Sequence, residues 1–145
     1  MAFHFSLGSV LQVRGILEEQ EERMLQKIQA EIVQAKEAIE RIDAEIAGSE
    51  ALRRNNVFKP FLGRNIHAAY GEMQELKQIK KDIEERITKL EQLKERQLKV
   101  YEAARRDREM LTDMKEVKRN AYESEQARSE QKRLDDNFIA RRGRV

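Results

Sequence analysis

Residues able to act as acids, bases or nucleophiles occur in this sequence without the neighbours that catalysis requires. The two histidines, His4 and His67, have no serine or cysteine nucleophile and no cluster of acids beside them. The acidic pairs at 18–19 and 21–22 are typical of a solvated helix surface. Gly63 and Gly71 are isolated and form no phosphate-binding loop. We therefore predict no catalytic, cofactor or metal site, and a protein that is not an enzyme.

Basic residues form two clusters that could contact phosphate groups. They are Lys77, Lys80 and Lys81, and Arg105, Arg106 and Arg108. Acidic residues are interleaved throughout, no stacking aromatic residues accompany the clusters, and the net charge is only +2. These features predict that the chain does not bind nucleic acid.

The composition is that of long helices. Of the 145 residues, 39% are charged and 6% are aromatic, with one proline and six glycines. Abundant Ala, Glu, Lys, Leu, Arg and Gln favour helix and coiled coil over a wide globular core or disorder. The chain has no cysteine, which excludes disulfides and thiolate metal sites and fits a reducing compartment. Its length predicts one domain, 1–145.

Charge is distributed unevenly along the sequence. Residues 1–50 carry five basic and ten acidic residues, a net charge of −5. Residues 51–145 carry 24 basic and 17 acidic residues, a net charge of +7. An acidic arm and a basic arm attract each other when they lie side by side, and like charges disfavour parallel self-pairing.

A first helix, about 7–52, is predicted from apolar residues at alternating steps of three and four. These are Leu25, Ile28, Ile32, Ala35, Ile39, Ile42 and Ile46. The spacing is that of a coiled-coil seam, which buries one narrow stripe and requires a partner helix. Upstream, we assign Val10, Val13, Leu17, Gln20 and Met24 to the seam.

The break between two helices is predicted at about 53–64, within a stretch from Gly48 to Asn65 that contains Pro60 and Gly63. An apolar tip, 57–62, lies in it. The second helix, about 65–140, meets no glycine or proline from Glu72 to Arg142. Its predicted seam is Met73, Leu76, Lys80, Ile83, Ile87, Leu90, Leu93, Gln97, Val100, Ala104, Asp107, Leu111, Met114, Lys118 and Ala121.

Two helices joined by one turn predict an all-α fold, a rod-like antiparallel coiled-coil hairpin. The second helix is the longer and would extend past the first. No apolar run approaches the ~20 residues that a membrane-spanning helix needs. The mildly apolar segment 1–13 has no basic region before it, so we do not interpret it as a signal peptide.

Both ends of the chain resemble the flagellar FliJ family. The start has that family's aromatic-Leu and hydrophobic-Arg pattern followed by a Glu-rich helix, here Phe5, Leu7, Val10, Leu11, Val13, Arg14 and then Glu18 to Glu22. The C-terminal run RSEQKRLDD matches the family's ending at Arg128, Glu130, Gln131, Lys132, Leu134 and Asp135, with Asp136 where glutamate is usual. The middle of the chain is similar only in period and length.

The resemblance implies a stalk-like component of the flagellar type III export apparatus. It implies that both termini meet at one end of the hairpin and dock on the hexameric export ATPase. It further implies contact with the cytoplasmic domain of the export gate, escort of export chaperones, and a cytoplasmic position at the inner membrane beneath the flagellum. The free protein is expected to be a monomer with no cofactor.

The resemblance also places candidate binding residues. For the ATPase they are Phe3, Phe5, Leu7, Val10, Leu11, Arg14, Arg128, Gln131, Lys132, Leu134 and Asp135. Packing on the second helix is an equal alternative for Leu7, Val10 and Leu11, whereas partner contact is favoured for Phe3 and Phe5. For the export gate the candidates are Tyr70, Met73, Leu76 and Ile79. Met73 and Leu76 are also seam positions, which favours a core role for them.

Three alternatives remain open on the sequence. One is the corresponding stalk of an injectisome type III system. Another is a scaffold that assembles with itself into a dimer or four-helix bundle. The last is a nucleic-acid-binding rod, whose affinity for DNA would fall steeply with salt.

Overall fold

Two long α-helices make up nearly all of the computed structural model, which describes residues 2–55 and 63–143. Helix α1 is Gly8–Asn55 and helix α2 is Gly63–Arg142. The two helices contact each other, and no strand occurs in these described ranges. The predicted all-α helical hairpin is confirmed. The apolar tip predicted at 57–62 lies outside the described residues.

Helix α1 passes through Gly48, the first helix-breaking residue of the stretch that surrounds the predicted break, and ends at Asn55. A glycine in a helix interior costs only about 1 kcal/mol relative to alanine. The backbone of Gly48 has a helical conformation, and no positive φ occurs in the described part of the chain. The turn-forming residues from 48 to 55 are therefore helical in this sequence context.

Contacts divide the chain into two compact units. Unit 2, residues 22–100, contains the cluster formed by Ile28, Ile32 and Leu90, each at most 8% exposed. Leu25 and Met73 are buried in the same unit. The predicted seam from Leu25 to Ile46 is confirmed, since its seven residues are all buried or half-buried. The Nζ atom of Lys80 lies 2.7 Å from Oδ1 of Asp43. The charge of this seam lysine is therefore neutralised by an ion pair between the two helices.

Unit 1 consists of residues 1–21 and 101–145. Its helices are antiparallel, because Arg14 pairs with Asp107 whereas the earlier Phe3 packs on the later Tyr122. Phe5 is its one buried side chain among the described residues, at 6% exposed. The unit is therefore held by aromatic contacts at its end and by ion pairs along its helices.

The seam of each helix keeps an unbroken three-and-four spacing, and this corrects part of the predicted pattern. On α2 the contacting positions are Lys94, Tyr101, Arg108, Lys115 and Tyr122, each one residue after the predicted Leu93, Val100, Asp107, Met114 and Ala121. On α1 they are Leu11, Arg14, Glu18, Glu21 and Leu25, each one residue after Val10, Val13, Leu17, Gln20 and Met24.

Most of the wrong residues were chosen for being apolar, and Gln20 and Asp107 were then assigned by their spacing from them. Leu93 and Val100 are 46% and 48% exposed, beside half-buried Lys94 and Tyr101. A helix cannot change the face it buries without breaking the heptad spacing of a coiled coil. Long basic side chains fill such positions with their aliphatic stems and keep their charge in water.

Candidate docking surface

Unit 1 contains all eleven residues predicted to bind the ATPase, because it joins the N-terminal segment to the last part of α2. Nothing in the sequence between the two ends places them together. The antiparallel pairing of the helices does so. The predicted role of these residues at a partner surface stays a prediction, and their contacts within the chain are described below.

The aromatic residues before α1 pack on α2. The ring of Phe3 lies 5.6 Å from that of Tyr122, between centroids, and the guanidinium of Arg119 is 5.8 Å from the Phe3 ring. The ammonium of Lys118 is 5.7 Å from the Phe5 ring. These cation–π contacts hold the N-terminal segment against α2. They account for the burial of Phe5 and leave Phe3 half-exposed.

Glu18 and Arg108 form the closest ion pair of the unit. Arg108 donates from Nε to Glu18 Oε2 at 2.6 Å and from Nη2 to Glu18 Oε1 at 3.1 Å. The Glu18 side chain is only 15% exposed. A bidentate pair with little exposure is stronger than an ordinary surface pair. Arg14 makes a longer contact, 3.4 Å, with Asp107.

The ion pair with Arg108 favours the ionised form of Glu18. Hydrogen bonds from Arg108 lower the pKa of Glu18 below its ordinary value of 4.5, and this effect outweighs partial burial, which acts in the opposite direction. The nearby charges of Arg108 and Arg105 act in the same direction as the hydrogen bonds. Glu18 is therefore ionised at neutral pH and keeps its charge into mildly acidic solution.

Six exposed apolar residues lie one position before seam residues on both helices of unit 1. They are Val10, Val13 and Leu17 on α1 and Met110, Met114 and Val117 on α2, and we call them the two-helix apolar face. Stepping back one residue turns a helix by about 100°. Because the two helices run in opposite directions, that step turns both toward the same side of the pair. The six residues therefore share one side of unit 1.

The other side of unit 1 is polar. Residues one position after the seam on the two helices also lie together, as the antiparallel arrangement requires. Gln12 and Arg119, each one position after a seam residue, line a single cleft of about 410 Å³. Further along α2 this side carries Glu102, Glu109 and Glu116, and Arg105 donates to Glu109 at 2.9 Å. One side of the unit is thus solvated and charged while the other is apolar.

Helix α2 extends beyond the N-terminal segment as an overhang, residues 123–142. Every side chain in it is exposed. The predicted binding residues here are Arg128, Gln131, Lys132, Leu134 and Asp135, and the amide of Gln131 donates to Asp135 at 3.2 Å. Phe138, 64% exposed, lies beside Leu134 on the helix surface, and Ile139, 66% exposed, follows it on an adjoining face. Sequence reasoning left them out of the site, although their size and spacing from Leu134 could have indicated them.

The four residues predicted for the export gate all lie in unit 2, on α2. Met73 is buried, at 8% exposed, and Leu76 is half-buried. Tyr70 and Ile79 are 56% and 48% exposed. The surface available to a partner is therefore that of Tyr70 and Ile79, with Met73 and Leu76 packed against α1.

No group of three or more His, Asp or Glu side chains is placed to hold a metal ion in residues 2–55 and 63–143. Within the same ranges, neither helix is long and apolar enough to cross a membrane. His4 and His67 are exposed on the surface.

A family model described as "Flagellar FliJ protein" matches residues 3–144, nearly the whole chain. No curated protein and no solved structure matches this chain.

Proposed function

The chain belongs to the FliJ family of flagellar proteins, which implies a component of flagellar type III protein export, and from this membership we propose a stalk-like adaptor. It docks on the hexameric export ATPase and links that ring to the export gate. The observation that supports this most directly is the joining of the two terminal segments in one compact unit. A partner can then bind both ends of the chain at one surface.

Docking uses two kinds of contact at this surface. The overhang carries five basic and five acidic residues, all exposed. Exposed charge pairs are individually weak and readily exchanged, which suits a stalk that shifts inside a ring. Apolar side chains such as Val10 and Leu134 supply more of the binding free energy. Phe3, Phe5, Leu7 and Leu11 hold the N-terminal segment and α1 in place beside them.

The export-gate contact is formed by Tyr70 and Ile79 on α2. Their exposed apolar surface lies next to seam residues that are fixed by packing in unit 2. The two side chains lie about 180° apart around the helix, so the gate contacts α2 on both flanks of its seam, where exposed aromatic and aliphatic side chains favour a protein partner. The adaptor also carries the chaperones of export substrates and works on the cytoplasmic side of the inner membrane at the flagellar base.

A pull-down against the export ATPase of the same genome tests the docking step. The full chain is compared with a chain that ends at residue 128 and with a full-length Arg128→Glu/Lys132→Glu double variant. Lys89→Glu, a charge reversal on an exposed position of α2 in unit 2, is the matched control. We expect the full chain and the control to bind, and the truncated chain and the double variant to bind weakly or not at all.

Failure of the full chain to bind contradicts the proposal that it docks on the ring. Equal binding by the full chain and the truncated chain contradicts the placement of the docking surface at the overhang. Circular dichroism of each variant confirms that the helices remain formed, since loss of helix alone would also abolish binding.

A further inference from the structure

The two-helix apolar face and the overhang are two exposed surfaces of unit 1 on which no other element packs within residues 2–55 and 63–143. Side chains of the face are between 39% and 68% exposed. Two helices need only one seam each to form a hairpin. A second apolar stripe on both helices, on the same side, is what a helix needs when it also contacts a third helix.

The overhang has the properties of that third helix. Its 20 residues span about 30 Å, and packing of an apolar face is the main source of helix stability in proteins. Leu134 and Phe138 lie at i and i+4 on one face of the overhang, 58% and 64% exposed. The apolar residues of the face cover a length of helix that is sufficient to contact both of these apolar residues of the overhang. They extend from 10 to 17 on α1 and from 110 to 117 on α2.

The overhang cannot reach the face of its own chain. Met110 and Phe138 lie on one continuous helix with no glycine or proline between them, so they are about 42 Å apart. The overhang of a second copy, oriented antiparallel to the first, can reach this face. That overhang lies on the face of the first copy, and by the two-fold symmetry the overhang of the first lies on the face of the second.

Charge is compatible with this pairing. The overhang has no net charge, since its five basic and five acidic residues balance. The single acid on the apolar side of the seam, Asp107, is neutralised by Arg14. The opposite side of the unit, with Glu102, Glu109 and Glu116, offers no comparable apolar surface.

We propose that two copies of this chain pair through unit 1, with Leu134 and Phe138 of each copy packed on the two-helix apolar face of the other. The pairing does not depend on the proposed function. Its consequence for export does rest on that function, because paired copies cover each other's overhang and the ring ATPase must separate them. The monomer that we expected for the free protein is then the form that predominates in dilute solution.

Disulfide cross-linking tests the pairing, because the native chain has no cysteine. Full-length Met110→Cys and Phe138→Cys are mixed, oxidised and separated without reductant. We expect a disulfide-linked product of twice the chain's 17.1 kDa mass that contains one copy of each variant. The control mixes Phe138→Cys with Glu116→Cys, whose cysteine lies on the opposite side of unit 1, and it should give little of this product.

Two results overturn the pairing. One is a yield of the mixed product no higher than in the control. The other is a product from Met110→Cys alone that exceeds the mixed product, since this means that the two faces pack directly on each other. Sedimentation of the unmodified chain over a dilution series supplies an independent measurement, and a mass that stays at one chain throughout also overturns it.

The ring ATPase separates this proposal from the function proposed above. If the chain binds the ATPase, adding the ATPase in excess should lower the yield of the mixed product. An unchanged yield with demonstrated ATPase binding overturns the idea that pairing and docking compete. A high yield from a chain that does not bind the ATPase leaves the pairing intact and contradicts only the docking.

Discussion

Glu18 and Arg108 show, at the scale of single residues, how a coiled coil accepts a charged pair at its seam. Both lie at positions that apolar residues usually occupy. The two hydrogen bonds between them, at 2.6 and 3.1 Å, satisfy both oxygens of Glu18. Removing one partner leaves the other poorly solvated, which costs more than the loss of an ordinary surface pair.

Glu18→Gln is expected to lower the free energy of unfolding by about 1 kcal/mol at pH 7. The pKa of Glu18 is lowered in the folded state, so its stabilising contribution is present above the ordinary value of 4.5 and is lost as the pH falls through the lower folded value. The difference between wild type and variant should therefore shrink in acid. Urea unfolding at pH 7 and pH 3 measures both effects.

Glu19→Gln provides the matched control for that experiment. Glu19 is the next residue of α1, is exposed, and takes part in none of the ion pairs of unit 1 described above. Its substitution should change stability by less than about 0.5 kcal/mol. A Glu19 variant as destabilised as the Glu18 variant would contradict the role given to the pair with Arg108.

At the scale of the elements, the face of the helix on which a leucine lies determines whether it stabilises the hairpin. Leu90 is 8% exposed and Leu93 is 46% exposed, although they are three residues apart on α2. Leu90→Ala is expected to cost about 2–3 kcal/mol because it removes a buried side chain from the cluster with Ile28 and Ile32. Leu93→Ala should cost less than about 0.5 kcal/mol.

Thermal unfolding followed by circular dichroism compares these two variants, which have the same change in composition and nearly the same helix propensity. Equal destabilisation by both would contradict the seam described for α2. A larger effect of Leu93→Ala would place the seam one residue earlier, as the sequence alone suggested.

Gly48→Ala is expected to raise the free energy of unfolding by about 0.5–1 kcal/mol. Gly48 lies inside α1, and a Cβ atom added there would meet nothing within 4 Å. Alanine has the higher helix propensity and loses less backbone entropy on folding. Urea unfolding measures the gain, and a destabilised variant would show that α1 does not continue through residue 48 in solution.

The elements were predictable from sequence where one chemical signal was unambiguous. The isoleucines from 28 to 46 indicated the seam of α1 directly, and the absence of glycine and proline from Glu72 to Arg142 indicated the length of α2. Phase was misassigned where a polar seam residue directly follows an apolar one, as at Arg14 and Lys94. In those stretches the neighbouring residue is apolar and exposed, so hydrophobicity alone indicates the wrong face.

The candidate site was predictable only in part for the same reason. Matching patterns at the two ends of the chain identified the segments around Phe5 and Leu134. The two-helix apolar face required the direction and phase of both helices together, since neither stripe is distinctive on one helix. Phe138 and Ile139 became notable only once every side chain of the overhang was seen to be exposed.

Motility tests the proposed adaptor at the scale of the whole molecule. A strain that lacks the gene is expected to lose swimming and to regain it with the full chain. The chain that ends at residue 128 should not restore it. A Tyr70→Ser/Ile79→Ser double variant should reduce the swimming halo yet still bind the ATPase, because it changes the gate surface and leaves unit 1 intact.

The soft-agar halo is compared with protein level measured by immunoblot. Full swimming by the double variant would contradict the assignment of Tyr70 and Ile79 to the gate. Lys77→Ser, which changes an exposed position of α2 between those two residues, is the control and should swim normally.

The charged seam of unit 1 also determines how its amide hydrogens exchange with solvent. Isoleucine and leucine contacts in unit 2 must break together before that unit opens, so its amides should exchange slowly. The helices of unit 1 are joined largely by salt bridges and a few aromatic contacts, which can break one at a time, so we expect its amides to exchange faster than those of unit 2. This end of the hairpin can open and close many times while the isoleucine-rich unit remains folded, so helices at the docking end can exchange neighbours without global unfolding.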